Sequence, residues 1–424
     1  RSAGHRRSPG CRARLARVEH SLAGGPEIVA IPGPTIVPER VLSAMHRAMP
    51  DIYGGELLSV IDEVYDALPP LARTSSRAYV AISNGHGAWE MAITNTLSRG
   101  DRALVLDCGR FAAVWAEMAE FDGVQVEVDT ATPGRAVDPD RLEERLRADT
   151  AYEIKAVLCV HVDTASSARN DIPAIRRAID AAGHPALLMV DCIASIGCEP
   201  YEMDEWGVDV TVAASQKGLM TPPGLGFVWA GPRALAAHAD ADLRTRYWDW
   251  SYRTEDGPYY LRFCGTPPVS HLFGIREALR MIDEEGLTAR WARHAALAGA
   301  VHAAVDAWSA PGGLGLYVTD PAQRANAVTT IRAGEVDAGA LAAMCQERMG
   351  VTLGIGLTTD GATFRIGHMG HVNAPMVLGV LGTIEVALHA LGAPIASSGT
   401  AAAATALAAA ARNFEEAEVT DSVA

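Results

Sequence analysis

The sequence predicts an α/β protein. A large domain is built on a mainly parallel, seven-stranded sheet sandwiched by helices, and a smaller C-terminal α+β domain follows it. Three observations predict this. Seven apolar, β-branched runs appear at 77–83, 103–107, 124–128, 154–162, 186–191, 208–213 and 226–230. Helical periods lie between several of them, at 88–97, 112–121, 139–147 and 172–182. Strands buried on both faces read as continuous apolar runs, and alternation of such strands with helices covers a parallel sheet. Finally, 424 residues are too many for one ordinary core.

The elements are punctuated accordingly. Asp171-Ile172-Pro173 marks a helix start, with Asp as cap and Pro in the first turn. Gly183-His184-Pro185 ends that helix and feeds the next strand. A long helical stretch follows Pro268 toward Trp308, with a break near Glu285-Gly286. Residues 311–392 return to mixed strand and helix, and the alanine-rich run 401–412 favours a further helix. The expected organisation is an N-terminal extension over 1–25, an arm over 26–50, the large domain over 51–290, the small domain over 291–393 and a tail over 394–424.

Composition excludes several classes. A net charge of −15 argues against a nucleic-acid or anionic-membrane surface. No window approaches the roughly 18 uninterrupted apolar residues of a membrane span. Seven cysteines, Cys11, Cys108, Cys159, Cys192, Cys198, Cys264 and Cys345, show no CxxC pair and read as reduced cytoplasmic thiols, mostly core filler. The first twenty residues hold six arginines and one acid, Glu19. They read as a disordered or transit-like extension, without the apolar stretch of a secretory signal.

The chemistry concentrates at strand ends. Asp191 closes the apolar run 186–190, and Lys217 follows the run 208–212 within Ser215-Gln216-Lys217-Gly218. A carboxylate and an amine thus emerge from consecutive strands. Pyridoxal 5′-phosphate (PLP) needs such a pair: a lysine for its Schiff base and an acid to keep its pyridine nitrogen protonated. Partial desolvation lowers a lysine's pKa and makes it nucleophilic. Ser83-Asn84-Gly85-His86-Gly87-Ala88-Trp89-Glu90 follows a strand and opens a helix, where glycines and free amides suit an anion, or where a plain βα turn suffices. In Phe364-Arg365-Ile366-Gly367-His368-Met369-Gly370, Arg365 suits a bidentate pair with a carboxylate, or a surface salt bridge. His368 and His371 have HxxH spacing, but no acid or thiolate lies close in sequence, so no metal site is expected.

These motifs, in this order, resemble the class V aminotransferase group of fold-type I PLP enzymes, and within it the serine–glyoxylate and alanine–glyoxylate aminotransferases. The resemblance begins at Ile31-Pro32-Gly33-Pro34-Thr35 and runs through the GHGAWE turn, Val190-Asp191 and SQKG to RIGHMG. It implies that Lys217 forms the Schiff base and shuttles a proton, and that Asp191 pairs with the pyridinium nitrogen. Gly85, His86 and Gln216 match the phosphate-binding set. Phe111 matches the ring that stacks on the cofactor, and Thr164 a hydroxyl near its ring oxygen. Arg365 matches the clamp for the substrate α-carboxylate. Thr266 aligns with a residue that reaches the phosphate from a neighbouring subunit, which implies a homodimer with active sites at the interface. Relatives often carry a phosphate-binding tyrosine where this chain has Phe263, and Tyr259 and Tyr260 are the candidates to substitute for it.

The implied reaction moves the amino group of serine or alanine to glyoxylate by a ping-pong route, giving glycine and hydroxypyruvate or pyruvate. Pyridoxamine–pyruvate and ureidoglycine–glyoxylate types are built from nearly the same residues. A cysteine desulfurase would want a mobile nucleophilic cysteine, whereas Cys345 lies in a helical pattern. A non-catalytic PLP-fold protein would not need Lys217, Asp191 and Arg365 together. A nicotinamide dehydrogenase would want GxGxxG after its first strand, which is absent.

Overall fold

The computed structural model describes residues 21–253 and 257–423. The arginine-rich stretch over residues 1–20 lies outside them. The chain opens with β1 (Ile28–Ala30), α1 (Glu39–Met45) and α2 (Glu56–Leu71). Strand and helix then alternate through β2 (Arg77–Ser83), α3 (Gly85–Thr96), β3 (Arg102–Asp107), α4 (Arg110–Asp122), β4 (Gln125–Thr130), α5 (Pro139–Ala148), β5 (Ile154–Val160), α6 (Ile172–Ala181) and β6 (Leu187–Asp191). Two strands follow without a helix between them, β7 (Val210–Ala214) and β8 (Gly224–Ala230). These seven strands form one sheet in the order β2-β8-β7-β6-β5-β3-β4. Only β8 runs against the rest, being antiparallel to both β2 and β7.

Period-two alternation explains how the sheet is covered. Val80, Phe227 and Trp229 point into one apolar layer, and Tyr79, Ala81 and Val228 into the other. The first layer packs on α2, α5, α6 and α8 (Val269–Glu285), the second on α3, α4 and α7 (Pro232–Asp240). The α6 start is built as its sequence suggests: the Asp171 side chain accepts from Ala174 N at 2.9 Å, with proline in the first turn. Gly286, at φ 77°, divides α8 from α9 (Leu287–Trp308), where the sequence placed the break.

A second sheet has the order β1-β11-β12-β10-β9. Its strands are β9 (Gly315–Leu316), β10 (Val328–Arg332), β11 (Val351–Ile355) and β12 (Thr363–Gly367), with α10 (Ala338–Ala343), α11 (Ala374–Ala390) and α12 (Gly399–Val423). The N-terminal β1 joins it as a parallel edge partner of β11. The arm thereby reaches the site from the far end of the sequence. Cys345 is fully buried in a π-helical turn over Met344–Arg348, and burial pushes its thiol up to about 12. It is packed, not reactive.

Candidate active site

Asp191 is the last residue of β6, and β6 pairs in parallel with β7, placing Asp191 opposite Val212. Three residues beyond β7 stands Lys217. Both side chains therefore leave the carboxyl edge of the sheet, where ligands of α/β folds bind. The lysine's loop is fixed because β7 and β8 are antiparallel partners joined by it. Ser215 closes the loop, its amide donating to Leu225 O at 3.0 Å and its hydroxyl to Pro222 O at 2.7 Å.

Gly85, His86, Phe111, Thr164, Asp191, Gln216 and Lys217 line one cavity, completed by Trp89, Val162, Ile193 and Ala194. Seven of the nine site residues read from the sequence thus meet at one place. Asp191 is 3% exposed and accepts from Ile193 N at 2.6 Å and from Trp89 Nε1 at 3.1 Å. Burial pushes its carboxyl up to about 7, against the pull of those two donors. Trp89 is itself held by stacking on Trp115, with centroids 5.7 Å apart.

Lys217 has the opposite shift. Burial of its amine, and then the Arg365 charge, lower its pKa to about 8. The amine donates to Pro32 O, in the N-terminal arm. The arm is fastened there by Thr35, whose amide donates to Gln216 O at 3.0 Å and whose hydroxyl donates to Lys217 O at 2.8 Å. Gly33 leaves the lysine its space: a Cβ at this position, where φ is 106°, would lie 2.5 to 2.8 Å from Lys217 Cδ, Cε and Nζ.

The Phe111 ring centroid lies 6.0 Å from Lys217 Nζ. Its position is set by Asp163, whose carboxylate accepts from the amides of Phe111 at 2.8 Å and Ala112 at 3.2 Å, at the start of α4. Asp163 is buried, and burial raises its pKa while those amides pull it back. The carbonyl of the next residue, Thr164, accepts from Arg365 Nη1 at 2.9 Å, and Arg365 Nε donates to Ile355 O at 2.7 Å. Arg365 stands on β12, 7% exposed, and burial lowers its pKa to about 10. It has no carboxylate ion-pair partner among the described residues. It does not line the cavity itself, although its charge is felt at Lys217.

One expectation changes. The amides at the start of α3 are not free, because Asn84 Oδ1 caps them, accepting from His86 N at 3.1 Å and Gly87 N at 3.4 Å. An anion at this helix start has to share or replace that cap. Tyr259 and Tyr260 do not line the cavity of their own chain: the Tyr259 hydroxyl is buried without a hydrogen-bond partner among the described residues and Tyr260 is 36% exposed. Phe263 is packed edge-on against Tyr65 at 6.2 Å. Thr266 is exposed and outside the cavity of its own chain.

Sequence reasoning assigned no role to Trp89, Pro32 or Gly33, which stand inside its motifs, or to Asp163, the neighbour of Thr164. A tryptophan in a turn of small residues and an acid beside Thr164 were the available signals. His368, the first of the HxxH pair, instead uses its ring nitrogens on Thr329 Oγ1 and Asn326 O, each at 2.9 Å.

A strand-end acid and lysine on a seven-stranded, mostly parallel sheet define the fold of the fold-type I PLP-dependent transferases. Within that class the aminotransferase class-V family matches residues 33–372, and the chain belongs to it. It is 40% identical to a serine–glyoxylate aminotransferase of Methylorubrum extorquens, over 88% of this chain and 94% of that one. It is 39% identical to an L-aspartate–glyoxylate aminotransferase of Paracoccus denitrificans, over the same shares. Among solved structures it resembles the ureidoglycine–glyoxylate aminotransferase of Bacillus subtilis, with TM-score 0.82 and 26% identity, covering 90% of this chain and 98% of that one.

Proposed function

We propose that this aminotransferase uses PLP to move the amino group of a small amino acid, serine or alanine, to glyoxylate. The observation that carries the reading is the opposed pair of shifts: an amine lowered to about 8 just beyond one strand and a buried acid raised to about 7 at the end of its parallel neighbour. Structural ion pairs stabilise charge on both partners, whereas here burial disfavours charge on both.

The residues present suit the cofactor. The buried Gln216 amide oxygen has no hydrogen-bond partner among the described residues, so this side chain has hydrogen-bonding capacity to spare beside Gly85 and His86. We assign Gly85, His86 and Gln216 to the phosphate, Phe111 to stacking on the ring and Thr164 to its hydroxyl edge. Asp191 is assigned to the pyridine nitrogen. When bound, PLP supplies the carbonyl that accepts the amino group and the electron sink that makes the substrate α-proton acidic.

The remaining work falls to the chain. Lys217, with its pKa near 8, is neutral in a useful fraction of molecules at physiological pH and takes the proton from the substrate α-carbon. Arg365, free of any protein carboxylate among the described residues, holds the substrate's α-carboxylate. The exposed position of Thr266 is in keeping with a role in the site of a second subunit, so we assign a homodimer. The unclustered thiols support a cytoplasmic setting.

A donor panel tests the reading. Purified protein loaded with PLP should be yellow, and L-serine or L-alanine should bleach that band, with glycine formed when glyoxylate is added. L-Aspartate, pyridoxamine and pyruvate belong in the same panel. Strong turnover confined to aspartate would move the donor to the dicarboxylic class. A protein that stays colourless after PLP reconstitution sinks the proposal.

A further inference from the structure

Behind the cavity, one face of α9 touches both halves of the site. Arg290 and His294 lie one turn apart and are 2% and 0% exposed. The Arg290 guanidinium donates to Gly218 O at 2.9 Å, to Gly197 O at 2.8 Å and to Glu285 Oε2 at 2.8 Å. Gly218 is the residue after Lys217. His294 Nε2 accepts from the amide of Gly370 at 3.1 Å. Gly370 lies in the loop that follows β12, the strand that carries Arg365. An amide can only donate, so Nε2 carries no proton, and Nδ1 holds it and donates to Arg290 O at 2.8 Å. Burial, with Arg290 and Arg293 nearby, keeps this imidazole neutral.

The two loops also meet directly. A Cβ on Gly370, where φ is 81°, would lie 3.3 Å from Lys217 O. That carbonyl already accepts from the Thr35 hydroxyl and from Met220 N at 3.0 Å. Next along the same loop, Val372 O accepts from Arg293 Nη1 at 2.6 Å, and Arg293 pairs with Glu285 at 2.5 Å.

We infer that Arg290 and His294 are positioning residues that fasten the Lys217 loop and the loop leaving Arg365 to a single helix. Neither lines the cavity, so both act through others. Proton transfer at the substrate α-carbon requires the amine and the carboxylate clamp to keep a fixed separation, and small misplacements cost large factors in rate. A buried cation with three acceptors and a histidine locked in one tautomer hold that frame more rigidly than apolar packing. The inference rests on the aminotransferase reading of Lys217 and Arg365.

The test compares His294→Gln with His294→Asn in the PLP-loaded enzyme. A glutamine carboxamide can reach the Gly370 amide, whereas asparagine is one methylene short. Three readouts are taken: thermal melting, the kcat and KM split, and the pH midpoint of the yellow band, which reports the lysine's surroundings directly. The glutamine variant should stay within about threefold of wild type, and the asparagine variant should lose about tenfold or more in kcat with a displaced band midpoint. Equal losses in both variants, or an asparagine variant with wild-type kcat, KM and midpoint, overturn the inference. If the asparagine variant does not fold, Arg290→Lys decides, because lysine keeps the charge but not the planar fork. Wild-type kinetics there overturn the inference, and a kcat loss with a displaced midpoint supports it. A wild-type protein that takes up no PLP removes the underlying reading, whereas active wild type with unaffected variants removes this inference alone.

Discussion

Trp89 Nε1 donates a hydrogen bond of 3.1 Å to Asp191 Oδ2, from the first turns of α3 to the end of β6. The bond favours the carboxylate and holds back the rise that burial imposes, leaving Asp191 near 7. In Trp89→Phe the ring still packs but the donor is gone. Asp191 then stays protonated to higher pH and holds a pyridinium less well. A buried charged hydrogen bond contributes about 1.5–3 kcal/mol, so kcat should fall about ten- to a hundredfold near neutrality. The acid limb of the pH–rate profile should move upward. An unmoved limb would mean that Asp191 does not depend on the indole.

The same residue sets a pH dependence in the cofactor-free protein. Folding raises the Asp191 pKa from 3.8 to about 7, so the folded chain binds more protons than the unfolded chain in that window. Its contribution is present below pH 3.8 and is lost as pH rises to about 7. Asp191→Asn has no charge to desolvate. Without PLP it should be more stable than wild type at pH 8, by on the order of a few kcal/mol, with the difference vanishing under strong acid. Thermal melting of the two proteins across pH checks this. Equal curves would show that the carboxyl is not desolvated.

How much of this was legible in the sequence depends on the kind of contact. β6 and β7 are buried on both faces and read as continuous apolar runs, so Asp191 and Lys217 could be placed at strand ends from the chain alone. Helix starts such as Asp171-Ile172-Pro173 are local and were equally readable. The cap by Asn84 is local too, yet it competes with the phosphate reading of the same turn, and composition could not arbitrate. The Pro32 contact with Lys217 spans 185 positions, and the Trp89 contact with Asp191 spans 102. No periodicity encodes such pairings, because tertiary packing alone brings the segments together.

Gly33 tests the long-range arm contact. Alanine there places a methyl within 2.8 Å of Lys217 Cδ, Cε and Nζ, at a φ of 106° that disfavours any side chain. Either the arm lifts from the Gln216 and Lys217 carbonyls or the lysine is pushed aside. Gly33→Ala should therefore slow PLP capture by the cofactor-free protein at least about tenfold and lower the melting temperature only modestly. The growth of the yellow band after mixing measures this. Capture at the wild-type rate would show that the arm does not hold the lysine.

On the proposed reading Arg365 has two effects, as clamp and as charge, and they separate in one variant. Its guanidinium is free of any carboxylate partner among the described residues, and its charge is one cause of the lowered Lys217 pKa. Arg365→Gln removes both the bidentate donor and the charge. Loss of the donor should raise KM for the amino acid and the oxo acid alike, by about ten- to a hundredfold, since both present the same α-carboxylate to one site. Loss of the charge should raise the lysine's pKa, so the rate of PLP capture, which needs the neutral amine, should inflect above the wild-type value of about 8. The two shifts have different origins and need not scale together. Raised KM with an unchanged inflection would keep the clamp and remove the electrostatic link to Lys217, whereas an unchanged KM would remove the clamp itself.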